Sequence, residues 1–222
     1  MMHKINAVIF DMDGVLVNSE LIHKQAESAI LEKYHISIDE SDWMSFKGRT
    51  AVAIFTSIIN KYKLKDLDPV VLAEEKNSLY LRLAAQNLVL FDGALDLLNY
   101  LKPHYQLALT TSSVKPILDL LFDRYQLYPF FTVMVTGDMV THGKPHPEPY
   151  TLTMQKLGVS PDRCLVIEDS ESGVLSAKAA GALTVAVTST LSREKLGAAD
   201  YVVDNLRKIQ ELFERDLHFH RA

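Results

Sequence analysis

Cysteine is all but missing from this 222-residue chain, and the lone Cys164 leaves no intramolecular disulfide to form, so a reducing, cytoplasmic setting is expected. No block of Lys or Arg occurs and the formal net charge is -5, which argues against nucleic acid or an anionic membrane as the main partner. Any anion the chain binds must therefore be gripped locally. Long apolar runs are also lacking: the first spans only residues 5–10, too short for a signal-peptide core or a membrane span. No cluster of Cys and His with metal-ligand spacing stands out, which sets zinc aside. Cys164 precedes Leu165, Val166 and Ile167 and reads as a small core residue, not a nucleophile. His218 and His220 in the closing HFHRA could ligate a metal, although a frayed tail accounts for them far better. There is no internal repeat and no low-complexity tract. What remains is a 48% hydrophobic chain of ordinary globular composition, long enough for one large domain or a core carrying a smaller insertion.

Residues 5–19, INAVIFDMDGVLVNS, hold the strongest local signal. Ile5, Ala7, Val8, Ile9 and Phe10 read as a strand covered on both faces, as in a parallel sheet. Asp11 falls at its carboxyl end, where open α/β sheets bind ligands. With two further extended residues Asp13 projects to the same side, and Gly14 permits the positive φ of a sharp exit. Paired carboxylates repel, and a cation between them resolves the conflict. Taken alone, the stretch reads more readily as a strand followed by an ordinary Asp-Gly turn.

From residue 20 to about 87 the periodicity is helical. Ile22, Ala26, Ala29, Ile30 and Tyr34 share one stripe, and Ala51, Ile54, Phe55, Ile58, Ile59 and Tyr62 another behind a cap at Thr50. A third helix opens at Asp68-Pro69 with Leu72, Leu79 and Leu83 on one face. Lys76 sits on that apolar face and His23 beside Ile22; each is either a packing residue or one aimed into a site. Lys47, Gly48 and Arg49 combine two cations with a flexible glycine, suited to an anionic substrate or to a solvated turn.

Beyond residue 90 helices alternate with short apolar strands, expected at 106–110, 132–135, 164–167 and 183–187 with an edge strand at 201–203. Intervening helices are expected at 116–125, 147–157 and 171–180, and a last one at 206–215, with Gly158 and Gly181 as stops. This pattern predicts an α/β fold, a doubly wound parallel sheet. Residues 1–19 and 88–222 would form the core and 20–87 an inserted all-helical unit. Polar clusters recur where strands end. Thr111 and Ser112 close the second strand where hydroxyls and free N–H groups welcome an anion, with Ser113 as a candidate N-cap. Lys144 is mounted rigidly in HGKPHPEP, and Glu168-Asp169 end the fourth strand, Asp169 joining Asp11 and Asp13 in an acidic cluster suited to magnesium.

Four motifs in order, DMDGVLVNSE, LTTSS, GKPHPEP and IEDSESG, resemble the haloacid dehalogenase-like (HAD) superfamily, and the insertion is similar to the helical cap of its branch with phosphoglycolate-type phosphatases and β-phosphoglucomutases. The resemblance implies a Rossmann-like core and a magnesium-dependent phosphatase acting on a small phosphate ester, with Asp11 as nucleophile and Asp13 as general acid and base. It assigns Thr111, Ser112 and Lys144 to the phosphoryl group, and Asp11, the backbone carbonyl of Asp13 and Asp169 to the metal, with Glu168 alongside. His23, Lys47, Gly48, Arg49 and Lys76 become cap residues that meet substrate. The carboxylate at Asp13 speaks against dehalogenase or phosphonate-cleaving chemistry. A phosphomutase is the rival reading, weakened by Ala51 where those mutases carry a phosphate-binding arginine. A receiver-type signalling domain is a further alternative, but its acidic residues come in a different order. A monomer or weak homodimer is expected.

Overall fold

In the computed structural model, which describes residues 5–215, β1 (Ala7–Phe10) runs through the middle of a six-stranded sheet and is fully buried on both faces. His218 and His220 lie outside the described residues. β2 (Gln106–Thr110) and β4 (Cys164–Glu168) flank β1, with β3 (Val133–Val135) beyond β2, and β5 (Leu183–Val187) and β6 (Tyr201–Val203) beyond β4. Every pairing is parallel. All six strands consequently deliver their carboxyl ends to one edge.

Side-chain alternation explains the two layers. Val8, Phe10, Leu107, Leu109, Leu165 and Ile167 point to one face, where α5 (Ala94–Leu101), α6 (Lys115–Tyr125) and α9 (Leu206–Arg215) pack. Ala7, Ile9, Ala108, Cys164 and Val166 point to the other, under α7 (Glu148–Leu157) and α8 (Glu171–Ala179). Cys164 is a core residue whose thiol burial pushes up to about 11, which makes it inert.

Between β1 and β2 the chain leaves the sheet as α1 (Glu20–Lys33), α2 (Glu40–Ser45), α3 (Ala51–Tyr62) and α4 (Pro69–Asn87). Thr50 caps α3 by accepting from the Ala53 N–H, and Asp68 caps α4 by accepting from Val70 with Pro69 behind it. These helices hold a core of their own around Ile30, Leu31, Phe46, Phe55, Ile58 and Leu72. Full burial of such side chains is worth about 2 kcal/mol each. Ile22 and Ala26 of α1 and Tyr80 and Ala84 of α4 instead join the apolar cluster of the sheet, so the helical unit is seated and not merely tethered. Periodicity gives no sign of α2, whose six residues are too few; a capping box, Asp39 reciprocating with Asp42, holds its start. Among the described residues, no helix is long and apolar enough to cross a membrane.

Candidate active site

At the sheet edge Asp11 follows β1, Thr111 follows β2, Lys144 lies beyond β3, and Glu168 and Asp169 end β4. Lys144 is the hub. Its buried Nζ donates to Asp11 Oδ1 at 2.5 Å and to Glu168 Oε1 at 2.6 Å. Glu168 is saturated from behind: Tyr150 donates to Oε1 at 2.7 Å, and Oε2 accepts from the Asp169 N–H, the Ser170 N–H and the Ser170 hydroxyl. Burial disfavours its charge, but Lys144 and these donors outweigh burial and hold it below the ordinary range. Glu168 therefore anchors the lysine.

Three buried carboxylates crowd round this one ammonium, so ionising all of them would leave two negative charges that it does not balance. Burial pushes Asp11 up to about 8 against the pull of Lys144. Asp169 is pushed well up, by burial first and then by the charges of Glu168 and Asp11. Oxygen atoms of Asp11, Glu168 and Asp169 lie within 4.8 Å of one another. An all-oxygen set short of two positive charges fits a hard divalent cation. Gly14 makes room for the Asp169 carboxylate: φ is +82°, and a Cβ there would stand 1.8 Å from Asp169 Oδ2.

The Asp13 carboxylate is turned to a separate set of partners. Oδ1 accepts from Ser19 Oγ at 2.6 Å and from His23 Nε2 at 3.1 Å, and Oδ2 from Ser113 Oγ at 2.8 Å. Burial would raise this carboxyl, yet His23 and the two hydroxyls hold it well below the usual range. His23 is itself held below its usual range by burial and by Lys76, whose Nζ is 2.8 Å from Nδ1. Glu27 Oε1 lies 3.9 Å behind Lys76, and Tyr80 stacks on His23 with ring centroids 4.3 Å apart. The ambiguous His23 and Lys76 of the sequence both point inward.

A cavity of about 670 Å³ opens between this edge and the helices, reached by Asp11, Asp13, Lys47, Arg49, Thr111 and Asp169. Thr111 Oγ1 accepts from the Ser113 N–H at 3.0 Å. The Ser112 hydroxyl donates to the Gly48 carbonyl and Ser172 to the Lys47 carbonyl, at 2.7 and 2.6 Å, so serines of the sheet edge clasp the loop of residues 46–49. Gly48 sits so close that a Cβ would meet Ser170 Oγ at 2.2 Å. Lys47 pairs with Glu20, and the Arg49 guanidinium is braced by Ser57 Oγ at 2.8 Å and the Ala53 carbonyl at 3.2 Å.

Ser113 differs from its expected role. Helix α6 starts at Lys115 with Val114 at the cap position and no side-chain cap, because the Ser113 hydroxyl is spent on Asp13. Glu27, Tyr80 and Tyr150 were not legible as site residues because their partners are distant in sequence, Ser19 gave no sign of its bond to Asp13, and only the TTSS run hinted at Ser113. The structure also overturns the absence of a histidine cluster: His142, His146 and Glu148 come together on the outer side of the segment bearing Lys144.

A family model described as haloacid dehalogenase-like hydrolase matches residues 8–187. The phosphorylated carbohydrates phosphatase of Thermotoga maritima is 35% identical over 182 residues, covering 80% of this chain and 82% of that protein. The fructose-1-phosphate phosphatase of Escherichia coli is 32% identical over 186 residues, 82% of this chain and 95% of that one. Among solved structures, the β-phosphoglucomutase of Clostridium difficile superposes with a TM-score of 0.81 at 27% identity, covering 95% of this chain and 97% of that chain.

Proposed function

This chain belongs to the haloacid dehalogenase-like hydrolases, and on that basis we propose that it is a magnesium-dependent phosphatase that hydrolyses a small phosphorylated metabolite, a sugar phosphate, through an aspartyl-phosphate. Residues 1–19 and 88–222 serve as the catalytic core and 20–87 as the cap. One observation carries the reading: adjacent carboxylates have separate partners, Asp11 against Lys144 at 2.5 Å and Asp13 among Ser19, His23 and Ser113. Two environments suit two tasks.

Lys144, Thr111 and Ser112 hold the phosphoryl group in line with Asp11, where positioning and charge neutralisation supply most of the rate. A carboxylate oxygen of Asp11 forms a bond to phosphorus as the ester P–O bond breaks and its electron pair leaves with the alcohol oxygen. Asp13 gives that oxygen a proton. In its present surroundings Asp13 is ionised; an anionic phosphate beside it opposes that charge and brings it toward the protonated state needed for this step. Once the alcohol has gone, Asp13 takes a proton from water, water oxygen bonds to phosphorus, the Asp11–phosphorus bond breaks, and inorganic phosphate departs. Magnesium held by Asp11, Asp169 and the Asp13 carbonyl, with Glu168 alongside, would reduce the repulsion between nucleophile and phosphate. The cap excludes bulk water and lets Lys47, Gly48 and Arg49 sample the leaving group.

The names of the Thermotoga maritima and Escherichia coli relatives support a phosphorylated carbohydrate as substrate. A β-phosphoglucomutase-type activity is the second reading, favoured by the Lys76–His23–Asp13 chain and by the Clostridium difficile likeness. Ala51 at the start of α3 offers no grip on a second phosphate, which weighs against it. The decisive experiment is phosphate release over a panel of phosphorylated metabolites, with and without magnesium, tracking isomerised products. Interconversion of hexose phosphates without inorganic phosphate would overturn hydrolysis, and a stable phospho-Asp11 without turnover would revive the receiver reading. The same enzyme is expected in the cytoplasm as a monomer or weak homodimer, with no nucleic-acid or membrane partner.

A further inference from the structure

His142, His146 and Glu148 bracket Lys144 in sequence but face away from the catalytic carboxylates. Lys144 is turned inward and buried, whereas the His142 and His146 side chains are 62% and 50% exposed and line a groove between the sheet edge and the cap residues Met44, Lys47 and Arg49. His142 Nδ1 lies 2.8 Å from Glu148 Oε2 and His146 Nδ1 lies 4.0 Å from the same oxygen. Donor atoms of all three residues fall within 4.8 Å of one another, and the imidazole rings stack with centroids 4.7 Å apart.

We propose that these three side chains form a second metal site, for a zinc-class transition-metal dication, distinct from the all-oxygen cluster of Asp11, Glu168 and Asp169. The donor set decides the class. Two imidazoles and a carboxylate suit zinc and its neighbours, while magnesium prefers oxygen ligands and its own waters. A tetrahedral ion sits about 2.0–2.2 Å from each donor, which separates the donors by roughly 3.3 Å. The observed 2.8 and 4.0 Å straddle that value, so small side-chain rotations reach it.

Preorganisation is present as well. The Glu148 carboxylate is fixed by the N–H groups of Thr141 at 2.6 Å and His142 at 3.0 Å, contacts to the main chain of the kind that orient metal ligands. His146 Nδ1 accepts from the Glu148 N–H at 3.2 Å, so this nitrogen carries a lone pair and not a proton. An ion would displace the shared proton between His142 and Glu148 and take over that lone pair, giving up one long hydrogen bond. A solvent-exposed His–Glu pair is by itself worth little to stability. The fourth position is left open to the groove. Bound there, the ion would tie together both flanks of the segment that mounts Lys144.

The test uses untagged full-length protein, stripped with a chelator and held in saturating magnesium so that the catalytic cluster does not compete. Titration with cobalt(II), followed by its visible absorption, and displacement by zinc(II) should show one ion per chain with imidazole ligands. His142→Ala and His146→Ala should each weaken binding at least tenfold and leave the melting curve unchanged, since both rings are exposed. A His218→Ala/His220→Ala double variant should bind like the parent. The site is disproved if no ion binds up to millimolar concentration, if both single variants keep the parent affinity, or if binding disappears with the tail histidines.

Discussion

His23 Nε2 lies 3.1 Å from Asp13 Oδ1, which joins the first helix of the cap to the carboxylate that sits two residues beyond Asp11. Lys76, from another cap helix, holds the far side of the same ring at 2.8 Å. The ring cannot be lost without consequence. His23→Ala removes one of the donors to Asp13 and the stack on Tyr80, and kcat should fall about tenfold to a hundredfold in a phosphate-release assay. Ser113→Ala, which removes a donor but leaves the cap contact, should cost less. Equal losses in both variants would show that the cap link adds nothing beyond a hydrogen bond.

Replacing the nucleophile separates chemistry from fold. Asp11→Asn should reduce turnover at least a thousandfold while the melting temperature changes little, because the amide keeps the carboxyl's shape and its oxygen still accepts from Lys144. Asp13→Asn should be nearly inactive too. Substantial residual phosphate release by Asp11→Asn contradicts the nucleophile assignment.

Lys144 has the opposite balance. Lys144→Ala strips the ammonium from Asp11 and Glu168 and leaves buried carboxylates facing each other, a loss on the order of 3–5 kcal/mol. Urea denaturation should show that deficit, and added magnesium should recover part of it. A variant as stable as the parent in metal-free buffer would mean the pair contributes nothing to the fold.

Glu27 makes stability depend on pH. Burial raises its carboxyl from 4.5 to about 7 despite the nearby Lys76. A group bound more tightly by protons in the folded state stabilises fully below the unfolded value, and that contribution is lost as pH rises through the folded one. Between about pH 4.5 and 7 the loss amounts to roughly 3 kcal/mol. Glu27→Gln should flatten the melting temperature across that window relative to the parent; parallel curves would refute the assignment.

Metal dependence can be read without catalysis. Magnesium should raise the melting temperature of the parent, as any ligand specific to the folded state does. Asp169→Asn should abolish that response, and Gly14→Ala should do the same because its Cβ would displace the Asp169 carboxylate. A persisting magnesium shift in Asp169→Asn would place the ion elsewhere.

Strand and helix positions were legible because burial imposes period and turn chemistry supplies punctuation. Ala7–Phe10, Cys164–Glu168 and the stops at Gly158 and Gly181 announce themselves within a few residues. The strand-end motifs were equally plain, since parallel strands send their carboxyl ends to one edge. Partners of those motifs were another matter: Tyr150 reaches Glu168 from eighteen residues away and Ser113 reaches Asp13 from a hundred. Ser113 even carried a good local alternative as a helix cap, which tertiary contact overrode. The sequence by itself determined the layers, the order of the strands' end residues and the carboxylates available for chemistry, because these follow from local periodicity and spacing. Only the folded arrangement decided that Lys144 is shared between Asp11 and Glu168 and that His23 and Lys76 turn inward. Such contacts depend on distances between elements, and no local pattern of residues encodes them.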